Sequence, residues 1–193
     1  MKMRMLAIGL FSASWLFLLQ PFIFGEESST PESIPPKLLW EVGTQDNKCL
    51  EFALAPTNYD NYGEDPYFMV GQSSPAEDWC YIHPGPKDPW AQDIPHIFTI
   101  VFFLKSLDTG KDSLLNLYLL EFNKQYPPNL TVYVNGVNFP VRLPPGNGTD
   151  EFLLTFDGSF PNSKKISLPF PSSFLRLGEN VIQFTVSGGS WFI

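Results

Sequence analysis

The chain has 193 residues and a formal net charge of -8 at pH 7, with 44% hydrophobic and 16% aromatic residues. This length and hydrophobic content suit one folded domain that follows an N-terminal targeting segment. Because an acidic protein repels phosphate backbones, the composition argues against a nucleic-acid partner.

The N-terminus has the layout of a secretory signal. Lys2 and Arg4 precede an apolar stretch that runs to Gly25, and acidic residues follow it. A short basic region, an apolar core and a polar exit are typical of export, so we predict a signal peptide at 1–25 and a secreted or extracytoplasmic protein, in a periplasm or at a cell surface. An uncleaved anchor is the alternative. Residues 26–37, rich in Ser, Pro and Glu, are expected to form a flexible linker.

The remaining residues, 38–193, predict one domain of short strands. No segment has a sustained 3.6-residue apolar period, and Gly and Pro recur between short apolar runs. This pattern favours an all-β antiparallel sandwich or barrel. Strands are predicted at 38–42, 50–54, 67–70, 97–104, 114–122, 130–134, 137–143, 151–156, 164–168, 180–186 and 191–193.

Two of these segments carry detailed signals. Asn135-Gly136 lies between two alternating runs and predicts a hairpin, because both residues tolerate the positive φ of a type I′ turn. In 180–186, Ile182, Phe184 and Val186 are predicted to face the core and the residues between them to face outward, as in one sheet packed on another.

A loop rich in aromatic residues and proline precedes the strand at 97–104. Prolines at 84, 86 and 89 fix φ and remove backbone donors, so the stretch is predicted to be irregular. Loops beside rigid strands often carry binding sites. We predict that aromatic rings here stack on a sugar while polar side chains bond its hydroxyls. The candidate carbohydrate-binding residues are Trp79, Tyr81, His83, Asp88 and Trp90. The alternative is that Trp79 and Trp90 are core residues that close one end of the sandwich.

Other chemistry has little support in the sequence. Cys49 and Cys80 are the two cysteines, and they predict either a disulfide or two buried thiols. No catalytic motif surrounds His83 or His96, so we predict no catalytic residues. No cofactor and no metal site are predicted, although a calcium ion held by carboxylates of the same loop is an alternative. The carboxylates in question are Glu77, Asp78, Asp88 and Asp93.

The order of several short motifs resembles a known family. The motifs are Trp40-Glu41-Val42-Gly43, Asp46, Glu51-Phe52, Asp78-Trp79, Tyr81-Ile82-His83-Pro84, Trp90, Phe98-Thr99-Ile100, Val132-Tyr133-Val134-Asn135-Gly136, Leu168-Pro169 and Ser173-Phe174-Leu175-Arg176-Leu177-Gly178-Glu179-Asn180-Val181-Ile182. Together they resemble the C-terminal carbohydrate-binding-like domain, domain III, of rhamnogalacturonan lyases of polysaccharide lyase family 4.

This resemblance implies a β-sandwich jelly roll of the galactose-binding-like type. In that family the catalytic lysine and histidine lie in a large N-terminal domain that has no counterpart in this sequence. We therefore expect a secreted, non-catalytic module that binds a pectic or related polysaccharide or oligosaccharide, alone or beside a separate lyase catalytic subunit. Membership of a lyase enzyme system with catalysis of its own and a protein-interaction scaffold are the alternatives.

Overall fold

The computed structural model of the protein describes residues 2–8 and 37–193. Within these residues, nine strands form two sheets and the helices are short. The strands are β1 Lys2–Ile8, β2 Lys37–Val42, β3 Tyr67–Met69, β4 Ile97–Leu104, β5 Asp112–Leu119, β6 Leu130–Val134, β7 Val137–Val141, β8 Lys164–Pro171 and β9 Gly178–Val186. The α-helices are α1 Pro75–Asp78 and α2 Asp150–Thr155, and 3-10 turns occur at Tyr59–Asn61, Pro89–Ala91 and Ser172–Phe174.

The two sheets have four and five strands. The first has the order β2-β1-β5-β8, with every neighbouring pair antiparallel. The second has the order β3-β4-β9-β6-β7 and is antiparallel except for the short parallel pair β3–β4. The prediction of an all-β sandwich is confirmed, and one parallel pair is added to it.

The core lies between the inner faces of the two sheets. In β9, Ile182, Phe184 and Val186 are all fully buried, as their alternation predicted. From the four-stranded sheet, the ring of Trp40 approaches that of Phe102 in β4 to 5.4 Å between centroids. Alternating apolar side chains from both sheets therefore interdigitate in one continuous core.

The hairpin of β6 and β7 is confirmed in position and in turn chemistry. The two strands pair directly across Asn135 and Gly136, whose φ angles are +48° and +85°. Positive φ at both central residues is what a type I′ turn requires. Gly178, at the start of β9, also has positive φ, at +84°.

Two of the predicted strands are absent for local reasons. Residues 151–155 belong instead to helix α2, whose first turn is capped because the Oγ1 of Thr149 accepts the Phe152 N–H at 3.3 Å, and Phe156 is the C-cap. Residues 50–54 form turns in which Leu54 has a φ of +65°, a conformation that no strand contains.

At the C-terminal end, 191–193 form isolated bridges rather than a strand. Ile193 N–H donates to the Glu121 carbonyl at 2.9 Å, and Asn123 N–H donates to the Trp191 carbonyl at 3.0 Å. These bonds pair the residues with 121–123, and β5 ends at Leu119 rather than at 122 as predicted.

The predicted signal peptide and linker lie mostly outside the described residues. The part of the signal that is described, Lys2–Ile8, is strand β1 and lies between β2 and β5. No helix in residues 2–8 and 37–193 combines the length and apolar character needed to cross a membrane. Cleavage of residues 1–25 stays a prediction.

Candidate functional site

The aromatic loop at 78–90 lies largely inside the domain. Trp79, Tyr81 and His83 have 0% of their surface exposed, and Asp88 has 1%. Trp90 is half-buried. Since a side chain without exposed surface cannot stack on or bond a ligand, four of the five predicted sugar-contacting residues are core residues in this conformation.

The two tryptophans of the loop pack against other aromatic rings. Trp79 presents its ring to the edges or faces of three core side chains at centroid distances of 5.2 to 6.4 Å, namely Phe68, Phe98 and Phe184. Trp90 makes edge contacts with Tyr59 at 5.1 Å and Tyr62 at 6.1 Å. The alternative interpretation, that they close one end of the sandwich, fits these contacts.

His83 is a neutral core residue. Its ring is stacked on that of Phe98 at 3.9 Å and on that of Phe192 at 5.0 Å. Nε2 donates to the His96 carbonyl at 3.2 Å, and Nδ1 has no hydrogen-bond partner among the described residues. Burial lowers the pKa of His83 to about 3. A histidine that is fully enclosed and neutral is not placed to exchange protons with a substrate.

His96 is held by acceptors on both sides of its ring. Nδ1 lies 2.6 Å from Asp65 Oδ1, and Nε2 lies 2.7 Å from the Ala91 carbonyl oxygen. Asp65 also accepts from the Tyr62 hydroxyl at 2.9 Å and from the Ile97 N–H at 2.8 Å. Both ring nitrogens are therefore engaged by the protein, and the pair fastens the start of β4 to the preceding loop.

Asp88 connects the loop to the segment before the C-terminal residues. One carboxylate oxygen accepts the Gly85 N–H at 2.7 Å and the other accepts the Ser190 hydroxyl. Burial raises the pKa of Asp88 to about 6, although the two hydrogen bonds act to lower it. Asp88 is thus a structural carboxylate rather than a sugar-binding one in this conformation.

The two cysteines are buried thiols, and no disulfide joins them. Burial raises the pKa of Cys80 to about 12. Because the thiolate is the reactive form, Cys80 is poorly reactive at neutral pH. Of the two interpretations offered by the sequence, the structure has the thiols.

A cleft with a volume of about 350 Å³ opens beside the loop. Its lining residues are Ala53, Leu54, Tyr62, Gly63, Glu64, Asp65, Pro66, Tyr67, Glu77, Asp78 and Cys80. Asp78 accepts the Ser74 N–H at 2.8 Å. Across the described ranges, no three His, Cys, Asp or Glu side chains are grouped to hold a metal ion, so the carboxylates considered for calcium are not assembled.

The cleft is bordered by Tyr67, which also begins a row of side chains across the five-stranded sheet. The strand registers pair Tyr67 with Thr99, Thr99 with Gln183, Gln183 with Tyr133, and Tyr133 with Asn138. Tyr67 is 56% exposed and Asn138 is exposed, and the three between them are half-buried. We call this set the outer row. Three strand spacings separate its two tyrosines, a span of about 14 Å.

The face around the outer row is nearly free of charge. The neighbouring row consists of Ile97, Thr185, Thr131 and Pro140, and on the other side lie Met69, Val101 and Val181, of which Val101 is buried. Among the outward positions of these five strands, Glu179 alone is charged, and it pairs with Phe103 at the far end of β4. The face therefore offers rings, hydroxyls and amides, which suit a neutral polar ligand.

The sequence did not predict this row. The alternation of β9 correctly placed Gln183 on the outside, but nothing in the chain order shows that Tyr67 and Tyr133 flank it. The available signal was the aromatic residue at an outward position in each of two predicted strands, at 67–70 and 130–134.

The fold is an all-β sandwich, and its class, a carbohydrate-binding-like domain, is given by the family that the sequence matches. Residues 38–192 match the family described as CBM-like, polysaccharide lyase family 4, domain III, and the chain belongs to that family. Among curated proteins, no significant match to the chain is found.

Proposed function

We propose that this chain is a non-catalytic carbohydrate-binding module that binds a pectic or related polysaccharide through the outer face of its five-stranded sheet. The observation that carries the proposal is the outer row, from Tyr67 through Gln183 to Asn138, on a domain of a carbohydrate-binding-like family. Tyrosine rings can stack on the apolar faces of sugar rings, and the amides and the Thr99 hydroxyl can each donate to and accept from sugar hydroxyls.

The lack of positive charge on the face indicates that it binds neutral parts of such a polysaccharide. A uronate carboxylate is best bound by Arg or Lys, in paired hydrogen bonds where the residue is Arg. The outward positions of the five strands contain neither, and the whole chain has a net charge of -8. We propose that neutral sugar units lie on the outer row while uronate units are held away from it.

The cellular setting of the proposal rests on the N-terminal pattern. Lys2, Arg4 and the apolar stretch to Gly25 support export of the protein, with processing at the end of that stretch. Outside the cell, the module would hold a polysaccharide for a lyase catalytic subunit.

Affinity electrophoresis of the intact protein tests the proposal, with a neutral galactan and a polygalacturonate as the two polysaccharides. Tyr67→Ala and Tyr133→Ala should each weaken retardation by galactan at least about tenfold, the size of effect expected of central aromatic contacts. Tyr126→Ala is the matched control, because this tyrosine is 44% exposed and lies outside the strands.

The outcomes separate the alternatives. Retardation that survives both tyrosine substitutions would exclude the outer face as the binding surface. Unsaturated uronate ends accumulating in the polygalacturonate sample would identify a lyase. Absence of both retardation and product would leave the protein-interaction scaffold.

A further inference from the structure

The first strand occupies an interior position in the four-stranded sheet. Strand β1 pairs along Lys2–Ile8 with β5 and along five residues with β2, antiparallel to both. The order β2-β1-β5-β8 means that β2 has no other neighbour in this sheet. The strand that comes first in the chain is therefore what joins β2 to the rest of its sheet.

The side chains of β1 fit this position. Met3 lies between Val42 and Leu117, and Met5 lies between Trp40 and Leu115. Both methionines are buried, with 1% and 0% of their surface exposed.

Arg4 points the other way, toward the outer surface. It lies beside its cross-strand neighbour Glu41, with Nε 3.9 Å from Oε2. Positions 3, 4 and 5 thus alternate inward, outward and inward, as a strand with one covered face requires.

Without β1, the gap between β2 and β5 would be two strand spacings, about 10 Å, which backbone hydrogen bonds cannot cross. Both facing edges would carry unpaired N–H and C=O groups, a known template for strand addition. On the inner face of the sheet, Trp40, Val42, Leu115 and Leu117 would lose the two buried methionines that lie between them. The space is thus shaped for one extended segment and no other kind of element.

We infer that the space between β2 and β5 is a strand-binding slot whose occupant is the chain's own segment Lys2–Ile8. The slot selects an extended peptide with apolar side chains at two inward positions and a polar one between them. The same residues begin the export pattern, so they act either as part of the signal or as strand β1. Removal of 1–25 empties the slot. The processed protein then binds this segment only when it is supplied as a separate peptide. The inference is independent of sugar binding.

A test on the full-length chain uses one inward and one outward residue of β1. Met5→Asp places a charge at a fully buried position, and we expect Tm to fall by more than about 10 °C. Amides in β2 and β5 should exchange with solvent at least about tenfold faster. Arg4→Gln is the control on the same strand and should change Tm by less than about 2 °C.

Peptide addition then tests the slot itself. A synthetic peptide of residues 2–8, added to the Met5→Asp chain, should restore slow exchange in Lys37–Val42 and Asp112–Leu119, whereas a peptide carrying Met5→Asp should not. If the Met5→Asp chain is recovered only unfolded, it is refolded in the presence of each peptide. The milder Met5→Ala chain is then used for the Tm and exchange measurements.

A Met5→Asp chain with the Tm and exchange of the unsubstituted protein would overturn the inference. So would rescue by both peptides alike, or by neither. If the Met5→Asp chain does not fold, a Met5→Ala protein with the Tm and amide exchange of the unsubstituted protein would also overturn the inference.

Discussion

Asp88 should make the stability of the domain depend on pH in the opposite direction from an ordinary surface carboxylate. Its pKa is raised from 3.8 to about 6 because the side chain is buried. The folded state therefore binds a proton more tightly than the unfolded state does. The stabilisation due to protonation is complete below the unfolded pKa and is lost as pH rises through 6.

The size of the effect follows from the shift. Each pKa unit corresponds to about 1.36 kcal/mol, so a shift of about two units gives about 3 kcal/mol across the range from pH 4 to pH 6. Asp88→Asn keeps the shape of the side chain and an acceptor for the Gly85 N–H, but it does not titrate. Relative to this variant, the unsubstituted protein should gain about 3 kcal/mol as the pH is lowered from 7 to 4.

Urea unfolding followed by tryptophan fluorescence, for both proteins at several pH values, measures this difference. His83 titrates in the opposite sense: its pKa is lowered from 6.5 to about 3, so its contribution is present above 6.5 and lost as pH falls through 3. Because His83 is common to both proteins, its effect cancels in the difference. A difference that is flat between pH 4 and 7, or that grows with rising pH, would refute the reasoning.

Two further pairs of substitutions test the structural interpretation of other residues. Trp79→Ala should lower the free energy of unfolding by about 3 to 5 kcal/mol, the usual cost of emptying a buried aromatic site. Trp90→Ala should lower it less, because that ring is half-buried. Chemical denaturation measures both, and equal small losses would contradict the packing. Glu121→Ala should cost about 1 to 3 kcal/mol, because it leaves the buried Phe122 N–H without its side-chain acceptor at 2.9 Å and removes the partner of the half-buried Lys164 at 3.2 Å. Glu64→Ala, at an exposed position, should stay within about 0.5 kcal/mol, and a comparable effect at both glutamates would count against a structural role for the buried Glu121 carboxylate.

Strand positions were largely predictable, because local signals decide them. The run of β-branched and aromatic residues at Ile97–Leu104 is a strand with the predicted bounds, and Asn135-Gly136 makes the predicted turn. The error at α2 also has a local cause: the Thr149 cap and the acidic first turn that follow it outweighed a short apolar run.

The fate of the aromatic loop was not predictable from its own residues. Its prolines indicated irregular backbone correctly, but burial depends on distant partners. Ala53 bridges Cys80, and His83 exchanges backbone hydrogen bonds with Phe192 at 2.9 and 3.0 Å. These contacts join segments more than a hundred residues apart in one case, and they draw the rings inward. The outer row has the same limitation, because strand order brings its members together.

The near absence of charge on the larger sheet has a consequence for where such a module can work. Attraction between ions weakens as dissolved salt rises, with a screening length of about 8 Å at physiological ionic strength. Binding through ring stacking and neutral hydrogen bonds is not weakened by this screening. A protein that binds its ligand through Tyr67, Gln183 and Tyr133 would keep its affinity at high and at low ionic strength.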